Sequence, residues 1–150
     1  MRVLWLQSGG CGGCSMSMLN ADTADFHGHL RAAGIDLLWH PSLSLASGTE
    51  LLDLLHGVLD DTVAVDVLCI EGSLLRGPNG TGRFHVLAGS GLPMIEWVMR
   101  LAPKARHVMA VGSCAAWGGV TAGGSNPTDA CGLQYEDDRL GGLLGADFRS

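Results

Sequence analysis

Short apolar runs alternate with helix-like segments along most of the chain. Four runs have the length and continuous apolar character of buried parallel strands, at residues 3–6, 35–39, 66–70 and 107–111. Helices are predicted between them, at residues 15–20, 25–33, 51–59 and 94–101. The helix at 51–59 has the clearest pattern, with Leu51, Leu54, Leu55 and Val58 at i, i+3, i+4 and i+7. This alternating order predicts an α/β fold in which helices flank a parallel sheet.

Glycine-rich stretches interrupt this order twice. Residues 73–92 and most of the chain from Gly112 onward are predicted to be loop, because glycine and proline recur too often for regular structure. Loops of this length in a compact domain usually serve a binding site or a partner. Neither an internal repeat nor a linker divides the sequence, so residues 1–150 are predicted to form a single domain.

Composition narrows the possible partners and the cellular compartment. The net charge of −6, with no cluster of Lys and Arg, argues against binding to nucleic acid. Hydrophobic residues make up 47% and charged residues 16%, which suggests that another polypeptide covers some apolar surface. No leader and no run of about 18 apolar residues is found, so we expect a cytoplasmic protein without a membrane span. In that reducing compartment, the five cysteines are expected to be ligands or reactive thiols rather than disulfides.

Three cysteines follow predicted strands in glycine-rich turns. Cys11 and Cys14 lie in the segment Gln-Ser-Gly-Gly-Cys-Gly-Gly-Cys-Ser after the first strand, and Cys114 comes after the fourth. Ligands gather at the carboxyl ends of parallel strands where the strand order reverses, so these turns can bring three thiols to one crevice. Thiolates in this arrangement are typical of a metal or iron–sulfur site, and glycine lets the backbone approach the cluster closely.

Other interpretations of the Cys-x-x-Cys segment remain open. A thioredoxin-like dithiol leaves Cys114 unexplained, and a four-cysteine zinc site usually pairs two such turns where this chain has one. Two incidental core cysteines are a further alternative. A dinucleotide-binding loop fails on spacing, because Ser15 stands where the fingerprint requires Gly or Ala.

The remaining polar candidates have weaker patterns. Cys69 lies within an apolar strand and is predicted to be a core residue, whereas Cys131 is either a fourth ligand or, as we favour, a packed thiol. Glu71 ends a strand beside the expected crevice, where it is either a proton relay or a structural carboxylate that accepts loop N–H groups. Four histidines show no ligand spacing and are expected at the surface or in packing: His27, His29, His56 and His107.

These residues resemble the small subunit of nickel–iron hydrogenases, and most closely its cytoplasmic regulatory, hydrogen-sensing branch. The similarity covers nearly the whole chain. The segments that show the resemblance are residues 3–17, 38–45, 71–72, 76–85, 93–98, 112–119 and 126–135.

The resemblance implies a flavodoxin-like domain with helices on both faces of the sheet. It also implies that Cys11, Cys14 and Cys114 bind three irons of a proximal 4Fe-4S cluster, with Glu71 near that cluster and the subunit interface. In the family this cluster takes electrons from the nickel–iron centre of a separate large subunit, so the chain is expected to transfer electrons without being catalytic alone. The sensor branch implies a histidine kinase as a further partner.

The sequence departs from the family pattern at its end. Family members continue into a Gly-Cys-Pro segment with the fourth cluster ligand, and then into a second domain with two more clusters; neither occurs here. We therefore expect an N-terminal portion of a longer subunit, with an incomplete ligand set unless Cys131, water or another chain completes it. The small subunit of a respiratory uptake hydrogenase and a stand-alone iron–sulfur or thiol redox module remain alternative functions.

Overall fold

A computed structural model describes residues 1–21, 26–136 and 139–148 of the chain. Its elements, in chain order, are β1 (Arg2–Gln7), α1 (Gly13–Asn20), α2 (Phe26–Ala32), β2 (Asp36–Trp39), α3 (Thr49–Leu59), β3 (Val65–Glu71), β4 (Leu74–Leu75), α4 (Met94–Leu101), β5 (Ala105–Val111), α5 (Gly112–Trp117), α6 (Gly119–Ala122), β6 (Ala130–Cys131), β7 (Tyr135–Glu136) and β8 (Arg139–Leu140). A 3-10 turn, Ala102–Lys104, joins α4 to β5.

The sheet has four parallel strands in the order β2-β1-β3-β5. The chain moves from β1 outward to β2 and then returns to the other side of β1 to form β3. The strand order therefore reverses between β1 and β3, which is the place where α/β sheets bind ligands. This arrangement confirms the predicted α/β fold with a parallel sheet.

Both faces of the sheet are packed, which explains why its strands are continuously apolar. On one face, Leu4 and Leu6 of β1 join a core with Leu55 of α3 and Val98 of α4. On the other face, Trp5 packs with a smaller cluster that includes Val67, Cys69 and Met18 of α1. Alternate residues of β1 thus pack on opposite faces of the sheet, and helices lie against both faces.

Predicted and observed elements agree best where the apolar pattern is long. The helix predicted at residues 94–101 has the bounds of α4, and the helix predicted at 51–59 is α3 with two more residues at its start. The helix predicted at 25–33 begins outside the described residues, and its described part is α2. None of the helices in the described parts of the chain is both long and apolar enough to cross a membrane.

The prediction of loop was wrong for parts of two segments. Residues 73–92 contain β4, and the chain after β5 contains α5 and α6 as well as three short strands. Strands β4 and β6 form a two-residue antiparallel pair, Leu74 with Cys131 and Leu75 with Ala130, which is too short to show a periodic pattern. Helix α5 was missed because glycines stand at both of its ends, although Ala115 and Ala116 within it are buried.

Candidate metal centre

The two cysteine-bearing turns lie at the same edge of the sheet. Cys11 and Cys14 follow β1, and Cys14 is in the first turn of α1. Cys114 is the third residue of α5, which begins directly after β5. Because β1 and β5 flank β3 in a parallel sheet, the carboxyl ends of these strands open onto one crevice, as the sequence predicts.

Glycines shape the backbone around the cysteine sulfurs. Gly112 has a φ of 81°, and a Cβ atom added there would overlap the Sγ atom of Cys14. Gly119 has a φ of 54°, and its added Cβ would lie 2.6 Å from the Sγ atom of Cys114. The sulfur of Cys14 therefore rests against the turn that leads to Cys114, in a space that only glycine leaves open.

Electrostatic interactions also indicate that Cys14 lies close to Cys11, Cys114 and Glu71. Burial raises the pKa of the Cys14 thiol, and the negative charges of Glu71, Cys114 and Cys11 raise that pKa further. A bound cationic centre would reverse this effect, because a metal ion favours the thiolate form of its ligands. The donor set of three soft thiols fits iron–sulfur ligation in its chemistry. Among the residues that the structure describes, no three His, Cys, Asp or Glu side chains are arranged to hold a single metal ion.

Glu71 is a buried carboxylate that ties the cysteine turn to the end of β3. From the part of the chain that the structure describes, its side chain accepts four hydrogen bonds, and the residue is 2% exposed. Oε1 accepts the backbone N–H groups of Cys14 and Ser15, both at 3.1 Å. Oε2 accepts Nε1–H of Trp5 at 3.2 Å and the hydroxyl of Ser15. The structure thus supports the structural role that the sequence analysis left open for Glu71.

These hydrogen bonds determine the charge of Glu71. Burial raises the pKa of its carboxyl group, but the bonds from Ser15, Trp5 and Cys14 lower that pKa, and the net shift is downward. Glu71 is therefore ionised at neutral pH. Its negative charge stands directly behind the backbone of the Cys14 turn.

Two residues of this network were missed by the sequence analysis. Ser15 follows Cys14 directly, and His40 follows β2 and is completely buried. The Ser15 hydroxyl lies 3.1 Å from Nε2 of His40. The position of His40 in the sequence could have indicated its place. Strand β2 is parallel to β1, so the residue that follows β2 must lie at the same edge of the sheet as the Cys14 turn.

The other two cysteines, Cys69 and Cys131, are buried in the core. Cys69 is in the middle of β3 among Val3, Trp5 and Val67, and burial raises the pKa of its thiol to about 11. Cys131 is in β6, where its thiol donates a weak hydrogen bond to the carbonyl of Leu74 at 3.7 Å. Burial likewise raises the Cys131 pKa to about 11. Both positions agree with the expectation of packed thiols.

Thiol reactivity is expected to divide the cysteines of the metal-free folded protein into two groups. Iodoacetamide at pH 8 should modify the exposed Cys11 and leave Cys69 and Cys131 unmodified, because a buried thiol with a pKa near 11 is almost never a thiolate at that pH. Peptide mass mapping identifies the modified positions, and unfolding in guanidinium should make all five reactive. Rapid modification of Cys69 before unfolding would contradict the described core.

Gly112→Ala is expected to disturb the Cys14 sulfur. The positive φ alone costs about 1–2 kcal/mol for alanine, and the new methyl group also occupies the place of the sulfur. Gly124→Ala is a matched control, because Gly124 has a φ of 68° and nothing lies within 4 Å of its added Cβ. Both variants should lose similar stability to the backbone strain, and only Gly112→Ala should change the alkylation rate of Cys14. Equal rates in the two variants would refute the contact.

Large apolar side chains are exposed around the crevice. Met16, Leu45, Trp117 and Val120 are each more than half exposed, and each lies in a segment that follows the carboxyl end of a strand. Trp117 stacks on Tyr135 with ring centroids 5.6 Å apart, so this aromatic surface is held in place. Exposed apolar residues grouped at one edge of a domain are typical of a protein–protein interface.

Known proteins are similar to this chain in sequence and in fold. Residues 11–146 match the family described as NADH ubiquinone oxidoreductase, 20 Kd subunit. The chain belongs to this family. The matched region contains Cys11, Cys14, Glu71 and Cys114.

Within the family, the chain is similar to hydrogenase small subunits. The Hydrogenase-2 small chain of Escherichia coli K12 is 36% identical over 132 residues, which cover 88% of this chain and 34% of that one. A solved structure of the NiFeSe hydrogenase from Desulfovibrio vulgaris Hildenborough superposes with a TM-score of 0.75 at 28% identity, covering 88% of this chain and 47% of the other. The actinobacterial-type NiFe-hydrogenase from Ralstonia eutropha H16 gives a TM-score of 0.73 at 29% identity, with 96% and 45% covered.

These similarities confirm the resemblance to NiFe-hydrogenase small subunits and the α/β fold that it implied. The chain spans between a third and a half of the length of these relatives. The regulatory, hydrogen-sensing branch, the ligand assignment and the cytoplasmic location stay predictions.

Proposed function

We propose that this chain is the electron-transferring part of the small subunit of a regulatory, hydrogen-sensing NiFe hydrogenase in the cytoplasm. The observation that carries the proposal is the convergence of two cysteine turns on one crevice, with the sulfur of Cys14 against Gly112. Similarity to hydrogenase small chains over most of this chain supports it.

Cys11, Cys14 and Cys114 are the residues that would hold a proximal 4Fe-4S cluster. When bound, such a cluster supplies one-electron transfer. The chain itself would position three thiolates in turns at one edge of the sheet, with glycine backbone packed against the sulfurs of Cys14 and Cys114. In this proposal the fourth ligand comes from outside the packed thiols, since the side chains of Cys131 and Cys69 are buried.

The exposed apolar residues around the crevice would bind the hydrogenase large subunit, which in this proposal carries the nickel–iron centre. Burial of Trp117 and Val120 in such an interface would be favourable, at about 25 cal/mol per Å² of apolar surface. An interface at this edge also places the partner next to the thiols, which electron transfer between the two subunits requires. For the sensor branch, a histidine kinase is the further partner.

Anaerobic purification of the protein with its co-expressed neighbouring subunits tests the proposal. We expect iron and acid-labile sulfide in near-equal amounts, a broad visible absorption that bleaches on reduction, and a co-purifying subunit that contains nickel. Iron without a nickel-containing partner would indicate a stand-alone redox module. A protein free of iron and sulfide whose Cys11 and Cys14 form a reversible disulfide would refute the cluster.

The sensor branch requires a second measurement. We expect the purified complex to bind a histidine kinase and to change its autophosphorylation when hydrogen is supplied. Hydrogen-dependent reduction of a quinone, without kinase binding, would assign the protein to a respiratory enzyme instead.

A further inference from the structure

His40 is a fully buried histidine whose protonation pattern the structure determines. The backbone N–H of Ser42 donates to its Nδ1 atom at 3.0 Å, so Nδ1 carries no proton. A neutral imidazole holds one ring proton, which must then be on Nε2. Burial lowers the pKa of His40, the charge of Glu71 raises that pKa and His27 lowers it, and the net shift is downward, which is consistent with a neutral ring.

This tautomer gives a direction to the hydrogen bonds that follow. Nε2–H of His40 donates to Oγ of Ser15 at 3.1 Å, so the Ser15 hydroxyl is left to donate its own proton. That proton is directed at Oε2 of Glu71. Successive donors of one direction polarise each other, and each bond is strengthened by its neighbour.

The ring of His40 has little freedom to turn away from this arrangement. Its centroid lies 5.0 Å from that of Trp5, whose own Nε1–H donates to Glu71. Both ring nitrogens of His40 are engaged, and the Ser44 hydroxyl accepts its backbone N–H at 2.9 Å. His40 is therefore held in a fixed orientation behind the Ser15–Glu71 pair.

We propose that His40 is a positioning residue that, through Ser15 and Glu71, sets the reduction potential of the cluster bound by the adjacent Cys14. The inference rests on the proposed cluster. Hydrogen bonding and charge around an iron–sulfur centre are known determinants of its potential. His40 is two hydrogen bonds removed from Glu71, yet it decides which way the Ser15 proton points.

The sign of the effect follows from the dipoles. His40 and Ser15 both present the positive end of an N–H or O–H bond toward the Glu71 carboxylate, which partly offsets its charge. Without the donor on His40, the negative field at the Cys14 turn increases and adding an electron becomes less favourable. The potential should fall by the equivalent of about a two-fold smaller ratio of reduced to oxidised cluster at a fixed solution potential, the lower end of what one hydrogen bond is worth, because His40 acts through Ser15 and Glu71.

Two amide variants separate the donor from mere packing. His40→Gln places an amide N–H at the position of Nε2 and keeps the donation to Ser15. His40→Asn reaches only the position of Nδ1 and loses that donation. His56→Ala is the control, because His56 packs edge-to-face on Trp97 with centroids 5.4 Å apart and lies on α3, whereas His40 follows β2.

Redox titration of the iron-containing protein, followed by electron paramagnetic resonance, gives the result. We expect the lower potential in His40→Asn, and potentials close to wild type in His40→Gln and His56→Ala, all at equal iron content. Equal potentials in the two amide variants, or a rise in His40→Asn, would overturn the inference while leaving the cluster itself established.

The metal-free protein provides an independent readout. Nitrogen NMR of the histidine rings should show His40 protonated on Nε2, with a slowly exchanging proton whose resonance is lost in Ser15→Ala. A His40 ring protonated on Nδ1 would overturn the inference whether or not a cluster forms. A protein that lacks iron but shows the expected tautomer would instead refute the proposed function, and with it the effect on a potential.

Discussion

Cys114→Ser is expected to abolish iron binding by the folded protein. The change removes the only thiol of the proposed site contributed by the β5–α5 turn, and a serine hydroxyl is a poor substitute for a thiolate ligand of iron. The loss should be far greater than the about 10–100-fold that removal of an indirect partner of a metal ligand costs. Iron and sulfide per chain, measured after anaerobic purification, give the result. Cys11→Ser should behave in the same way.

Cys69→Ser is the matched control for that experiment. It makes the same atomic exchange in the core, so iron should be retained even if the buried hydroxyl costs some stability. Circular dichroism must show that both variants are folded. Full iron content in Cys114→Ser, or complete loss in a folded Cys69→Ser, would contradict the assignment of ligands.

Glu71→Gln is expected to cost about 3 kcal/mol of the free energy of unfolding. Glutamine keeps one acceptor oxygen, but its NH₂ group must then face Trp5 Nε1–H or the N–H groups of Cys14 and Ser15, all of which donate. Urea denaturation of the metal-free protein measures the loss. Asp66→Asn is the control, because Asp66 accepts the backbone N–H of Arg2 at 2.7 Å on the same strand pair but in contact with solvent, and it should cost much less.

Glu71→Gln should also change how the stability of the protein depends on pH. The pKa of Glu71 in the folded protein lies below the ordinary value of 4.5, so the unfolded chain binds more protons in that range. The stabilisation is therefore fully present above that value and is lost as the pH falls through the folded pKa. The stability of wild type should decrease more steeply than that of Glu71→Gln on acidification below pH 4.5. Parallel pH profiles would show that Glu71 is not the group responsible.

The parts of the fold that were predictable are those with a long, uniform signal. Helix α4 lies between Pro93, which favours the start of a helix, and Pro103, which cannot continue one. Its bounds were therefore predicted correctly. The four strands were recognised because both faces of the sheet are covered, which makes them continuously apolar. Strands β4 and β6 depend on a pairing between residues 57 positions apart that no local pattern contains.

The candidate site was predictable in outline but not in its supporting contacts. Cysteines in glycine-rich turns after strands mark the edge of a sheet, and the turns with Cys11, Cys14 and Cys114 do lie at one edge, while their role as ligands stays a prediction. The contacts of His40 depend on the β1–β2 register and on a ring orientation fixed by Ser42. Such details arise from packing of distant segments, and a single sequence carries no direct signal for them.

The hydrogen bonds of Glu71 also have a consequence for biosynthesis. Ribosomal synthesis delivers Cys11 and Cys14 early, the anchoring carboxylate about sixty residues later and the third thiol later still. The nascent amino-terminal loop cannot be locked until β1 and β3 have paired, a contact of high sequence separation that forms slowly. If the proposed cluster is bound, insertion of iron and sulfide would therefore follow the synthesis of Cys114 and the assembly of the central strands.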